Sequence, residues 1–105
     1  MDELLSLAKE TLGIVSSATA KDASLRMLIS SAIDDMKRSG IKVELSKIND
    51  LEKNTIMLYV KANFGISNPS DKAKYMEAYQ LHLTNLSLSE NYKEAELWLM
   101  SHVNL

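Results

Sequence analysis

"IMLYVKANFG", residues 56–65, decides how this chain folds. Five apolar residues in a row, Ile56 to Val60, cover every side of a helical turn, so this part cannot be amphipathic. Gly65 supplies the left-handed residue that ends a helix, and Asn49 with Glu52 fits a capping box at its start. A segment that is apolar all round either sits at the centre of a small core or keeps part of its surface for another chain.

Working outward, three more helices flank it. In "DELLSLAKETLG", Asp2 can cap, Leu4, Leu5, Ala8 and Leu12 form the stripe, and Gly13 stops the helix. Asp22 is expected to cap a second helix, in which Leu25, Leu28, Ile29, Ala32, Ile33 and Met36 recur at spacings of three and four. Gly40 ends it. "IKVELSK", residues 41–47, alternates apolar and polar, but a lone strand would have no partner, so an extended connector is expected. After "ISNPSDKAKY", Asn68 suits a cap, Pro69 the first turn and Asp71 the third position. Met76, Tyr79, Leu83 and Leu86 then mark one face of a fourth helix. "KEAELWLMSHVNL" fits either a short fifth helix or an extended tail.

The pattern predicts an all-α fold: a small bundle of four main helices with the apolar third at its centre. Residues 1–88 form the helical domain and 89–105 a C-terminal tail. The expected core contains Leu25, Leu28, Ile29, Ile33, Ile56, Val60, Phe64 and Leu83.

At 105 residues there is room for one domain with a modest core. A formal net charge of −2 argues against general binding to nucleic acid or anionic membrane, since no excess of cations exists to displace counterions. The chain has no cysteine, which removes disulfides, thiolate chemistry and cysteine-based zinc sites. "MDELLSLAKE" has acids where a secretory signal carries Lys or Arg, and no stretch reaches the roughly 20 apolar residues of a membrane span. A cytoplasm-like solvent is expected, with no membrane partner.

The order of pieces resembles a known family. A short helix ends in "LGI" (residues 12–14), and an acid precedes the long helix "DASLRMLISSAIDDMKRSGI" (22–41). A connector leads to "TIMLYVKANFG", and a proline-bearing turn opens "DKAKYMEAYQLHLTNL". Over about residues 1–88 this resembles the small head–tail connector proteins of tailed bacteriophages, also called adaptor, head-completion or DNA-packaging proteins. The resemblance rests on helix order, helix lengths and the character of the second and third helices. It implies a subunit that works as a homo-oligomeric ring beneath the portal after DNA packaging and extends the DNA channel. Its partners would be the portal protein, neighbouring copies of itself and a downstream neck or tail-completion protein, with DNA only as cargo. Its place would be the neck of a phage or prophage virion, reached from the bacterial host cytoplasm during assembly. Asp22, Leu25, Leu28, Ile29 and Ile33 would match the family's second-helix core face, and Ile56, Leu58, Tyr59, Val60 and Phe64 its third helix. One departure stands out: the family commonly carries an aromatic pair and a basic residue after the third helix, whereas "NFGISNP" is short and nearly uncharged.

A ring needs two different patches on each subunit that fit each other. Met57 and Tyr59 point away from the face of Ile56, Val60 and Asn63, so not all can reach one core. Trp98, with Leu97 and Leu99, is costly to leave in water, and tryptophan is enriched where chains meet. These five residues are the expected contact set: Met57, Tyr59, Leu97, Trp98 and Leu99. The alternative for the last three is that they fold back over the subunit's own core.

Catalysis finds little support. His82 and His102 have no companion ligands at helical spacing, no serine sits in a nucleophile-type turn, and Asp34 and Asp35 diverge by about 100° on a helix. No catalytic residue, metal site or cofactor is expected. A helix-turn-helix regulator is the rival from another class, but its recognition helix would have to come from a segment that is largely apolar or from turns that do not match the motif. An adaptor whose groove binds a partner helix is the third reading.

Overall fold

The computed structural model describes residues 1–65 and 68–102; the side chains of 91–98, 101 and 102 lie outside the described set. The chain is all-α, with helices α1 (Asp2–Leu12), α2 (Asp22–Arg38), α3 (Asp50–Asn63) and α4 (Pro69–His102) and a 3-10 turn at Leu45–Lys47.

The helix ends show why the sequence breaks where it does. Asn49 and Glu52 form the capping box that opens α3: Asn49 Oδ1 accepts from the Glu52 N–H at 2.8 Å, and Glu52 Oε1 accepts from the Asn49 N–H at 3.0 Å. At the start of α4, Asn68 Oδ1 accepts from the Asp71 N–H at 2.9 Å, with Pro69 in the first turn where its missing N–H costs nothing. At the end of α2, Gly40 takes φ 86° and the Ile41 N–H reaches back to the Met36 carbonyl at 3.0 Å. Ile41 and Met36 are both buried, which is the apolar contact that accompanies this type of helix end. From there the connector is extended, with Ile41 and Val43 inward and Lys42 and Glu44 outward.

Two caps differ from expectation. Asp2 lies inside the first turn of α1, with no side-chain cap. Asp22 is the first residue of α2, and its carboxylate turns to Lys9 Nζ at 2.8 Å. Lys9 is only 6% exposed and a buried ammonium requires a counter-charge, a stronger demand than one unsatisfied N–H in a first turn. Lys9 Nζ also donates to the Ser16 carbonyl at 3.1 Å, so one side chain ties α1, the following loop and α2 together.

Helix α3 packs against all three other helices. Ile56 and Val60 are fully enclosed, and Met57, Ala62 and Thr55 are buried beside them. The Thr55 hydroxyl is satisfied by donating to the Leu51 carbonyl at 2.7 Å. Each enclosed aliphatic side chain contributes about 1.5–3 kcal/mol relative to exposure. Leu25, Ile29, Ala32, Ile33 and Met36 of α2, and Leu4, Leu5 and Ala8 of α1, complete the core around it.

Helix α4 joins that core through Tyr79, Leu83 and Leu86. The Tyr79 hydroxyl donates to Asp35 Oδ2 at 2.6 Å, and its ring meets Tyr59 edge-on at 5.3 Å between centroids. Burial, then the hydrogen bond to the Asp35 carboxylate and its charge, push the Tyr79 phenol well above its ordinary range. One turn past Leu83, the Ser87 hydroxyl donates to the Ser39 carbonyl at 3.0 Å, a second tie to the end of α2. The backbone of α4 then continues without a break near residue 88, since no Gly or Pro follows Pro69 and "KEAELWLM" is made of good helix formers. At 34 residues the helix is about 51 Å long, most of the 59 Å long dimension of the molecule.

Candidate functional site

The informative surfaces are those where apolar groups meet solvent. Helix α4 carries one. At about 100° per residue, Leu81, Leu88 and Leu99 fall on one line, directly opposite the line of Tyr79, Leu83 and Leu86. The inner line is buried; the outer three are 61%, 60% and 51% exposed. Glu77 stands on the same outer line one turn before Leu81, and Thr84 lies beside it, both exposed. A helix with leucines on two opposite faces has only one of them covered by its own chain.

The second surface is concave. The first half of α2 and the end of α3 enclose a shallow groove of about 470 Å³, walled by Met27, Leu28 and Phe64. Met27 is 72% exposed, while Leu28 and Phe64 are half-buried against the core. Lys21, Ser24, Ser31 and Asn63 form its rim, and Lys21 is the only charge there among the described residues. Ridge and groove share no residue and no helix.

Two other concavities are more polar or more crowded. Between α1 and α3 a cleft is bridged by Lys53 Nζ and Glu3 Oε1 at 2.9 Å. That hydrogen bond and its charge attraction hold the Glu3 carboxyl below its ordinary range and the Lys53 ammonium above its own. Between α1, α3 and α4, His82 Nδ1 is buried without a hydrogen-bond partner, beside Leu7, Met57 and Leu58. Among the described residues, no three His, Asp or Glu side chains are grouped as a metal would require.

The expected core residues do not all share one environment. Leu25, Ile29, Ile33, Ile56, Val60 and Leu83 are buried. Leu28 and Phe64 instead form the groove wall, because Leu28 lies at the flank of the α2 stripe and Phe64 follows the last turn of α3. Of the expected contact residues, Met57 is a correction: it is 6% exposed, enclosed because α1 and α4 cover the side of α3 that helical geometry turns away from α2. Tyr59 is half-buried on Tyr79. Leu99 is exposed, and Leu97 and Trp98 belong to α4 with side chains outside the described residues. Sequence reading passed over Leu81, Leu88 and Met27. The signal was present in "LHLTNLSLSE", where two sets of leucines interleave at helical spacing.

The fold is a small all-α bundle with a closed core and two exposed apolar patches. The comparison with known families sharpens this. Residues 4–93 match the family described as phage connector protein, and the chain belongs to that family. The family is structural, and membership implies interaction with other phage head or tail proteins and points to the virion neck. No curated protein and no solved structure matches the chain. No helix among the described residues is long and apolar enough to cross a membrane.

Proposed function

We propose that this protein is a subunit of a head–tail connector ring that docks beneath the portal after DNA packaging and lengthens the channel through which DNA passes. The single observation that carries the reading is the set of exposed leucines on the outer face of α4, opposite the face that the rest of the chain covers. Leu81 and Leu88 lie two turns apart on one helix face, and Leu99 returns to the same line three turns later; exposed apolar groups aligned in this way mark contact surfaces. A family membership that already implies head or tail partners supplies the setting. The portal protein, neighbouring copies and the next neck component are the partners, and DNA is cargo. A net charge of −2 suits a channel wall, since a surface that gripped phosphates would slow the passage of DNA.

Contacts between small subunits are completed on the portal template, so the isolated chain is expected to be monomeric or weakly associated. Light scattering of the chain alone and mixed with purified portal rings tests this. The expected result is a discrete portal-bound species holding many copies. Absence of any association in both samples would overturn the reading. Trp98→Ala should weaken portal-templated assembly more than it lowers the melting temperature.

A further inference from the structure

We infer that the outer leucine ridge of α4 on one subunit seats in the Met27–Leu28–Phe64 groove of the next copy, and that this pairing is the repeating contact of the assembly. The inference rests on the ring reading and names the surfaces it uses.

Three features on the molecule single out a second copy as the occupant. First, the shapes are complementary in kind: the ridge is a convex line of leucines, and the groove is a concavity with apolar walls. Second, the polar surroundings match. Between Leu81 and Leu88 the ridge is bordered by Thr84 and Asn85, and the groove walls by Ser24, Ser31 and Asn63, so the centre of the contact would bury no charge. Third, Glu77 continues the ridge by one turn, with Lys74 a further turn out on the same line, and Lys21 stands on the groove rim. Glu77 is the charge next to the leucines and is opposite in sign to Lys21; both side chains are exposed, and neither has an ion-pair or hydrogen-bond partner among the described residues. Placing Leu81 and Leu88 in the groove gives Glu77 a route to Lys21 of the neighbour.

Geometry also decides the type of contact. The ridge faces directly away from the core that α4 covers, so it cannot reach the groove of its own chain. A contact between two different patches is heterologous and continues from copy to copy until rotation closes it. Two ridges packed on each other would instead stop at a dimer and leave both grooves open.

The absence of native cysteine makes the test clean. Met27→Cys and Leu88→Cys are introduced singly and together in the full chain, which is assembled on portal rings and oxidised. The double variant should give a ladder of disulfide-linked multimers on a non-reducing gel, and each single variant should stay uncrosslinked. In parallel, Lys21→Glu and Glu77→Lys should each weaken assembly about three- to fivefold, and the combined variant should recover it. Dimers from Leu88→Cys alone would establish ridge-on-ridge pairing and overturn the inference. Portal-bound assembly of the double-cysteine variant with no ladder, or charge variants that fail to rescue each other, would overturn this contact while leaving the ring reading standing. No assembly of the unaltered protein under any condition would remove both.

Discussion

Helices α3 and α4 are both apolar on more than one side, for opposite reasons. On α3, Met57 points about 100° away from Ile56, which shares a face with Val60, and all three are buried because three helices surround them. On α4, Tyr79, Leu83 and Leu86 are buried, but Leu81, Leu88 and Leu99 on the far side meet solvent. The same compositional signal thus marks a centre in one helix and a free surface in the other. A hydrophobic run says that cover is needed and is silent on which chain provides it.

The sharpest way to break this comparison is to cut both helices in the same manner. Ile56→Ala should cost about 2–5 kcal/mol in urea unfolding, because it opens a cavity in a site enclosed from all sides. An effect below about 1 kcal/mol would mean that α3 is not the closed centre. Lys9→Ala comes next, at about 3 kcal/mol, since it leaves the Asp22 carboxylate, 17% exposed, without its ammonium and frees the loop held at Ser16. Hydrogen exchange should show the first turn of α2 losing protection before the rest.

Tyr79→Phe sits at the inner face of α4 and should cost about 1–2 kcal/mol by removing the hydroxyl that donates to Asp35. Its pH signature has a definite sign. A phenol pushed upward in the folded state favours the protonated fold, so this stabilisation is fully present below the ordinary tyrosine range near 10 and fades as pH rises above it. Wild-type stability should therefore fall more steeply above about pH 10 than that of the variant, and parallel curves would disconnect Tyr79 from the effect.

The smallest change in stability is expected at the outer face. Leu81→Ser with Leu88→Ser should shift the unfolding free energy by about 0.5 kcal/mol or less, because both side chains are already in water. The same pair should abolish portal-templated assembly. A large loss of stability without loss of assembly would assign the ridge to the subunit's own fold.

Much of the fold was legible because it is written in local terms. The capping box at Asn49 and Glu52, the turn at Asn68–Asp71 and the left-handed glycines at 13, 40 and 65 are short-range devices, and each appears where the residues call for it. The core positions Leu25, Ile29, Ile33, Ile56 and Val60 follow from a period of 3.6 residues. Other features were not readable because they depend on residues distant in the chain. Asp22 has the composition of a cap, but Lys9 of another helix claims its carboxylate. Met57 looks surplus on a helical wheel, and becomes core only when α1 and α4 close over it. The groove has no sequence signature at all, since Met27 on α2 and Phe64 just past the end of α3 line it from segments far apart in the chain.

Read along the chain, cap residues, glycines and the helical period place four helices and most of their ends, although Asp2 and Asp22 do not cap and α4 runs on to His102 past the boundary expected near residue 88. Those signals are properties of dihedral preference and spacing along one chain. Which apolar side chains are left over was settled by packing. Burial is a relation between helices, and it was the packing of α1, α2 and α4 around α3 that enclosed Met57 and left Leu81 and Leu88 outside.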